Sequence, residues 1–192
     1  SINPNITIDD FPSNTTIFSC ESTDGDDNPI NCQTAFTGIT RTKLDRPAAA
    51  LLIDENGNAV VPNSIKTIEK HAFMQTNVVT VMLLEPIETI EFEAFYQSNL
   101  EQINLPATLT NIQQGAFAET NLKEVSLPPL LTTLQRYLFA DTNITNIHIP
   151  NSLAVVQLEA FKNTNIKALY LPNIDIELDE RAFNTVKTIY VP

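Results

Sequence analysis

The sequence contains little glycine and little histidine, and this scarcity excludes several kinds of catalytic site. Glycine occurs only four times in 192 residues, and no Walker loop, glycine-rich dinucleotide motif or Gly-x-Ser-x-Gly elbow is present. The only histidines, His71 and His148, lie far apart in the chain and in different columns of the repeat described below, so they do not form a zinc pair. We therefore predict a protein that is not an enzyme and that uses no metal or cofactor.

Basic residues are also scarce, and no long apolar run occurs. The chain has 11 Lys and Arg against 23 Asp and Glu, a formal net charge of −12. Such an acidic surface repels phosphate backbones and anionic lipid, which argues against nucleic acid as a partner. The longest nearly apolar runs, 48–53 and 78–84, are far shorter than the roughly 20 residues of a membrane-spanning helix. We expect no membrane insertion, and partners that are proteins, surface ligands or copies of the chain itself.

Cysteine occurs twice, at Cys20 and Cys32. A disulfide between them would close a loop of about a dozen residues and contribute roughly 3 kcal/mol in the chain-entropy account. Two reduced thiols are the alternative. The polar segment 21–29 cannot order itself by burial, which favours the disulfide and an extracellular protein. The chain begins at Ser1 without a signal-peptide pattern, which fits either a mature secreted product or an expressed fragment.

Two further motifs carry little information. Three Asn-x-Ser/Thr sequons occur, at Asn5, Asn14 and Asn143. The abundance of Asn, Ser and Thr produces about this number by chance. The segment Asp24–Asn28 matches the opening of an EF-hand calcium loop, but Pro29 replaces its glycine and Ala35 its final glutamate. We interpret the segment as a solvated acidic loop.

A period of 22 residues runs through most of the chain. Phenylalanine recurs at this spacing, at Phe73, Phe95, Phe117, Phe139, Phe161 and Phe183. Other columns keep the same phase: a Thr-Asn or Ser-Asn pair follows, then alternating apolar residues such as Ile103 and Leu105, and then proline in most repeats. So many columns locked to one period indicate a solenoid.

The columns also predict how one coil is built. Apolar residues two apart, such as Ile103 and Leu105, predict a short strand with one inward side, and the following proline ends it. The wider spacing before Phe117 predicts a single helical turn. Asn121, which follows that turn, suits a left-handed residue that directs the chain into the next strand. We expect the phenylalanine column to form a buried spine.

The spacing Leu-x-x-Ile-x-Leu-Pro-x-x-Leu-x-x-Ile-x-x-x-Ala-Phe-x-x-Thr-Asn, nearly complete in Leu100–Asn121, resembles the BspA-like type of leucine-rich repeat. The resemblance covers about residues 55–192. It implies an α/β fold, a right-handed leucine-rich-repeat solenoid with a short-stranded parallel sheet on one face. It also implies a secreted or cell-surface setting and a role in adhesion or ligand binding through variable surface positions rather than a conserved active site.

Some repeats depart from this pattern. Leu84 stands in place of the strand-closing proline, and Leu138 in place of the alanine before phenylalanine. Asp175 occupies an inward column beside apolar neighbours, which predicts a local shift of that coil. The last coil is two residues short between Phe183 and Pro192. These departures bear on local geometry and leave the fold unchanged.

Residues 1–54 are expected to form an irregular N-terminal cap that contains the disulfide loop, followed by an array of about six coils at residues 55–192. Phe36 precedes Pro47 by the distance that separates Phe161 from Pro172, which predicts a degenerate first coil. The segments 49–53 and 59–61 flank an Asn-Gly pair at Gly57, which is typical of a hairpin.

Outward positions of the predicted sheet are the candidate binding residues. They include Met82, Asn104, His148, Tyr170 and Tyr190, and the last three form an aromatic patch at the C-terminal end. Interfaces favour such aromatic patches. Exposed aromatic residues also pair across strands on ordinary sheet surfaces, so this alternative stays open.

Two functions are compatible with this sequence. The first is a cell-surface or secreted module that binds a protein or another ligand. The second is a subunit of an extracellular filament, in which the N-terminal stretch of one copy covers the last coil of the next. That hypothesis assigns the contact to five apolar residues, Ile2, Ile6, Ile8, Ile189 and Val191. A monodisperse monomer in solution would favour the first function, and concentration-dependent polymers the second.

Overall fold

The computed structural model describes residues 41–172 and 175–190. One helix and 14 strands occur in this part of the chain. In chain order the elements are β1 (Lys43–Leu44), α1 (Arg46–Leu52), β2 (Asn58–Val61), β3 (Thr67–Ile68), β4 (Thr80–Leu83), β5 (Thr89–Ile90), β6 (Gln102–Asn104), β7 (Asn111–Ile112), β8 (Glu124–Ser126), β9 (Thr133–Leu134), β10 (Asn146–His148), β11 (Val155–Val156), β12 (Ala168–Tyr170), β13 (Glu177–Leu178) and β14 (Thr188–Tyr190).

The strands lie in two sets of parallel strands, one on each side of a solenoid of about seven turns. The even-numbered strands form what we call the face ladder, hydrogen-bonded as β2-β4-β6, β8-β10 and β12-β14. The odd-numbered strands form the short ladder, hydrogen-bonded as β1-β3-β5-β7 and β9-β11-β13. Through the regular coils each residue pairs with the residue 22 positions on, as Val81 does with Ile103. The predicted leucine-rich-repeat solenoid is confirmed.

The segment between the two ladders differs from the predicted helical turn. Residues 69–76 form successive tight turns, in which Ala72 N–H donates to Glu69 C=O and Met74 N–H donates to His71 C=O. The two-residue strands of the short ladder, such as β7, were not part of the predicted coil. They form because Ile112 points into the core while the neighbouring backbone pairs with the adjacent coils.

The phenylalanine column is a buried spine, as predicted. Five of its rings are completely buried, those of Phe73, Phe95, Phe117, Phe139 and Phe161. Each ring lies nearly parallel to the next, with centroids 4.9 to 5.7 Å apart along the column. Phe183, the last ring, is only half-buried. Because each interior ring lies between the rings of the two neighbouring coils, one coil depends on the next for its core.

Buried hydroxyl groups stabilise the turn that follows each phenylalanine. The Thr120 hydroxyl donates to the Phe117 carbonyl over 2.9 Å, and Ser98 and Thr142 make the same bond in their own coils. These side chains are at most 3% exposed. A carbonyl buried without a partner would destabilise the fold, and the Thr120 and Thr142 hydroxyls supply a partner for the carbonyls of Phe117 and Phe139. The Phe95 carbonyl accepts from the Ser98 backbone N–H as well as from its hydroxyl.

The prediction that Asn121 and its equivalents are left-handed is wrong. The left-handed residues of the turns lie in two columns, two positions before and two positions after phenylalanine. The second column consists of Gln75, Gln97, Glu119, Asp141 and Asn163, with φ between 52 and 59°. At this position the backbone N–H must point along the solenoid axis, and that of Glu119 donates to Ala140 C=O of the next coil over 2.8 Å. The conformation is imposed by this hydrogen bond between coils, which outweighs the intrinsic preference of asparagine.

The hairpin predicted around Gly57 is also replaced by another structure. Residues 46–52 form α1, whose N-terminus is capped by Asp45 through a 3.0 Å bond from the Ala48 N–H. The Asn-Gly turn connects this helix to β2, with Gly57 at φ 81°. A Cβ on Gly57 would come within 2.8 Å of Val79. Asp45 and a proline in the first helical turn favour the helix over a strand.

The remaining departures are local. Ile176 is buried while Asp175 is exposed, so the predicted shift of that coil is confirmed. Leu138 is completely buried in place of alanine. Strand β1 pairs with β3, which carries the short ladder into the segment assigned to the cap. The boundary at residue 54 stays a prediction, and Phe36 of the degenerate coil lies outside the described residues.

Candidate binding surface

The outward side of the face ladder brings two predicted contact residues together. Tyr170 on β12 is paired in register with Tyr190 on β14, although only 20 residues separate them. Their rings are stacked, with centroids 4.6 Å apart and planes within 9° of parallel. Tyr170 is 68% exposed and Tyr190 is 48% exposed. We call these residues the tyrosine pair.

The other predicted residues are not part of this contact. His148 is exposed on β10, which pairs with β8 and places His148 beside Ser126. Among the described residues His148 makes no ring contact with Tyr170. Met82, 51% exposed, lies on β4, several coils away on the same surface. Of the predicted aromatic patch, the structure joins the two tyrosines alone.

Asn104 has a structural role within the ladder. Its side-chain amide donates to Leu83 C=O over 2.9 Å, and its side-chain carbonyl accepts from Leu83 N–H over 2.8 Å. Strand β6 ends at this residue, so the side chain extends the pairing with β4 beyond the last backbone bond. Neither of these groups is available to a ligand without breaking that bond.

The proposed assembly residues are mostly outside the described part of the chain. Ile189 on β14 is 42% exposed. Ile2, Ile6, Ile8 and Val191 lie outside the described residues, as do Cys20 and Cys32 and the acidic loop 24–28. The disulfide and the end-to-end assembly therefore stay predictions.

Sequence reasoning missed two lysines next to the tyrosine pair. Lys167 and Lys187 directly precede β12 and β14, and Lys187 N–H donates to Lys167 C=O over 3.0 Å. Both side chains are exposed. Their signal in the sequence is a lysine three residues before each tyrosine.

The turns between short ladder and face ladder carry a different kind of surface, in which polar side chains bond to one another. Gln75 donates to Gln97 over 2.9 Å, and Gln97 donates to Glu119 over 2.8 Å. The hydroxyl of Tyr96 also donates to Glu119, over 2.8 Å. Farther along the same column Asn163 donates to Asp141 over 2.8 Å. We call this column the turn surface, and its bonds join successive coils.

These contacts change the acidity of two groups. The amide of Gln97, and then the hydroxyl of Tyr96, hold the pKa of Glu119 below its usual value. The same hydrogen bond raises the pKa of Tyr96 above that of an ordinary tyrosine. Among the described residues no three His, Cys, Asp or Glu side chains are grouped so that they could hold a metal ion. No helix of the described part is long and apolar enough to cross a bilayer.

We expect Glu119→Gln to lower the pKa of Tyr96, because the mutation removes the anion that stabilises the protonated phenol. The folded pKa of Tyr96 lies above its unfolded value, so this bond stabilises the fold below that unfolded value, and the stabilisation is lost as pH rises through the folded pKa. Ultraviolet titration of tyrosinate would show one of the four tyrosines moving to lower pH. Glu101→Gln, which removes an ion-pair partner of Lys123, is the control. A curve that is the same for both variants would contradict the assigned bond.

Two parallel ladders, a phenylalanine spine and a 22-residue register define the chain as a leucine-rich-repeat solenoid. The sequence profile of the BspA type leucine rich repeat region matches residues 66–190 in six copies. The chain belongs to this family. No curated protein matches it.

Solved structures share the fold. A leucine rich cell surface protein from Faecalibacterium prausnitzii is 20% identical with a TM-score of 0.65, over 77% of this chain and 42% of that one. A leucine-rich repeat protein from Eubacterium ventriosum is 19% identical with a TM-score of 0.52, over 65% and 32%. The leucine rich repeat protein of T. pallidum is 19% identical with a TM-score of 0.56, over 71% and 74%. The chain thus matches less than half the length of the first two proteins.

Proposed function

We propose that this chain is a non-catalytic module that binds a protein partner outside the cell or at a cell surface, and that the tyrosine pair is the centre of its contact surface. The observation that carries the proposal is the exposure of two stacked tyrosines on paired strands. Tyrosine is enriched among the residues that dominate binding energy, because a rigid ring buries a large area at low cost in conformational entropy.

The face ladder is better suited to binding than the turn surface. On the turn surface the amide and carboxylate groups of Gln97 and Glu119 already bond to neighbouring coils, so a partner would have to displace these bonds. The rings of Tyr170 and Tyr190 contact each other and stay largely exposed to solvent. The strands beneath them are held by parallel pairing and by the buried Leu169, so the surface is pre-organised.

The dimensions of the surface also fit a protein partner. Seven strands of the face ladder, spaced about 4.8 Å apart, extend over about 29 Å. A protein contact of standard size buries about 800 Å² on each partner, which such a strip supplies when its flanks are included. The family resemblance supports the same conclusion, since leucine-rich-repeat proteins are generally binding modules.

Tyr170→Ser/Tyr190→Ser tests this function, with Tyr96→Ser/Tyr137→Ser as the matched control on the turns. The immobilised variants would be exposed to biotinylated proteins from cell surfaces, and the affinity of a captured protein would then be measured after its purification. We expect the first variant to weaken binding by at least about tenfold, which corresponds to about 1.4 kcal/mol, and the control to bind as the unmodified chain does.

Circular dichroism of both variants provides the folding check, because the side chains of the tyrosine pair point away from the core. Equal binding by the two double variants would refute the assignment of the face ladder and redirect the search to the turns or to the N-terminal segment.

A further inference from the structure

Lys167 and Lys187 lie next to each other on neighbouring coils, where Lys187 N–H donates to Lys167 C=O. The register Ala168↔Thr188 places the preceding lysines side by side, at about the 4.8 Å spacing of paired strands. Neither lysine has an acidic partner among the described residues. We call these residues the lysine pair.

Three other lysines of the solenoid form ion pairs with carboxylates, whereas Lys43 and Lys70 form none among the described residues. Lys66 lies 3.1 Å from Glu88, Lys123 lies 2.9 Å from Glu101, and Lys162 lies 2.7 Å from Glu159. Like charges directly opposite on paired strands destabilise a sheet. Two adjacent lysines without an ion-pair partner form a positively charged surface in a protein with a net charge of −12, and such a surface complements an anionic partner.

The sequence contains a segment with the complementary charge. Residues 1–40 contain no Lys or Arg, and they supply half of the net negative charge through six acidic residues, Asp9, Asp10, Glu21, Asp24, Asp26 and Asp27. The same segment contains aromatic residues, among them Phe11 and Phe18. Carboxylates next to aromatic side chains match a surface on which two lysines precede the strands that carry the exposed tyrosines.

We propose that residues 1–40 dock on the lysine pair and the tyrosine pair of the same chain, with carboxylates against Lys167 and Lys187 and apolar side chains against the tyrosine rings. The inference rests on the proposed function for the use of this surface, and it makes the N-terminal segment a competitor of the external partner. Attachment through the chain gives the segment a high effective concentration, which favours docking within one molecule over docking between copies.

The distance permits this contact. From the first strand of the face ladder to the last is about 29 Å. The 14 peptide steps from Asp27 to Arg41 span at most about 50 Å when extended. The acidic residues can therefore reach β12 and β14 from the other end of the solenoid.

A zero-length crosslink tests the proposal on the full chain. A water-soluble carbodiimide joins a carboxylate to a lysine amine as an amide and takes up the released water as its urea, so only groups in direct contact react. Peptide mapping by mass spectrometry then identifies which lysines are joined to residues 1–40. Because that segment has no lysine, its carboxylates can be joined only to lysines of the solenoid or to a chain N-terminus.

The matched controls are the exposed Lys43 and Lys70, which lie at the N-terminal end of the solenoid, on β1 and just after its partner strand β3. Random encounter of a tethered segment would favour these two lysines. Docking should instead place at least about ten times more crosslink on Lys167 and Lys187 than on the controls, the ratio that about 1.4 kcal/mol of docking free energy gives. The crosslinked product should migrate as a monomer, and molar salt should abolish the preference.

Two results would overturn the proposal. A yield at Lys167 and Lys187 no higher than at Lys43 and Lys70 would mean that the segment does not dock there. The same crosslinks found only in a dimer would assign the contact to a second copy of the chain. The two experiments separate the two proposals. If Tyr170→Ser/Tyr190→Ser loses partner binding but the crosslink to Lys167 and Lys187 does not form, the proposed function stands and the docking of residues 1–40 is refuted. If the crosslink forms but the double variant still binds its partner, the docking stands and the proposed function is refuted.

Discussion

Phe117→Ala should lower the free energy of unfolding by about 3–5 kcal/mol, the usual cost of truncating a core phenylalanine. The ring is completely buried between Phe95 and Phe139, whose centroids lie 5.3 and 5.6 Å away. Its removal leaves a cavity in the middle of the spine, where both neighbouring coils lose contacts. Equilibrium denaturation followed by circular dichroism measures the change.

Phe92→Ala is the control for this effect. Phe92 lies on the turns, is only half-buried and meets the edge of His71 with ring centroids 5.7 Å apart. We expect a loss well below that of Phe117→Ala, since less apolar area is removed from the core. A loss below about 1 kcal/mol for Phe117→Ala itself would be incompatible with a spine that holds the coils together.

Thr120→Val should destabilise the fold by about 1–3 kcal/mol, although valine has nearly the same shape as threonine. The Thr120 hydroxyl is 2% exposed and donates to Phe117 C=O over 2.9 Å. Valine removes the donor and leaves that carbonyl without this partner in an apolar environment. The measurement is the same denaturation experiment.

Thr110→Val provides the comparison, because the hydroxyl of Thr110 makes a longer bond, 3.3 Å to Glu88 C=O, at an exposed position. Water can replace that bond, and a change within about 0.5 kcal/mol is expected. Should the two valine variants be equally stable, the buried hydroxyl column would have no special part in closing the turns.

Phe117→Ala and Thr120→Val should affect binding as well as stability. Each coil of a solenoid is stabilised mainly by its neighbours, so a break in the spine uncouples the coils on either side. The tyrosine pair lies on β12 and β14, near the last rings of the spine, where Phe183 is half-buried. A partner that binds across these two strands would add contacts to the least buried end of the described core.

Much of the fold could be predicted because each column recurs in successive coils. A single buried phenylalanine could be accidental, whereas the six phenylalanines from Phe73 to Phe183 repeat one spacing. The alternation of apolar residues at Ile103 and Leu105 indicates which side chains of the strand face inward. The same repetition identified the family and the outward surface on which Tyr170 and Tyr190 lie. Hydrophobic periodicity reports burial, and burial is what holds the coils together.

Only the tertiary structure decided where backbone hydrogen bonds between coils override local preference. Glu119 rather than Asn121 adopts the left-handed backbone conformation, because the backbone N–H of Glu119 must reach the Ala140 C=O of the next coil. In the short last coil, pairing of β12 with β14 stacks Tyr170 on Tyr190 without His148, which the sequence had placed in the same patch, and sets Lys167 beside Lys187. A spacing of 20 residues breaks the repeat on which sequence reasoning relies. By itself, then, the sequence determined which side chains are buried in the regular coils, and the pairing of neighbouring strands decided which exposed side chains meet.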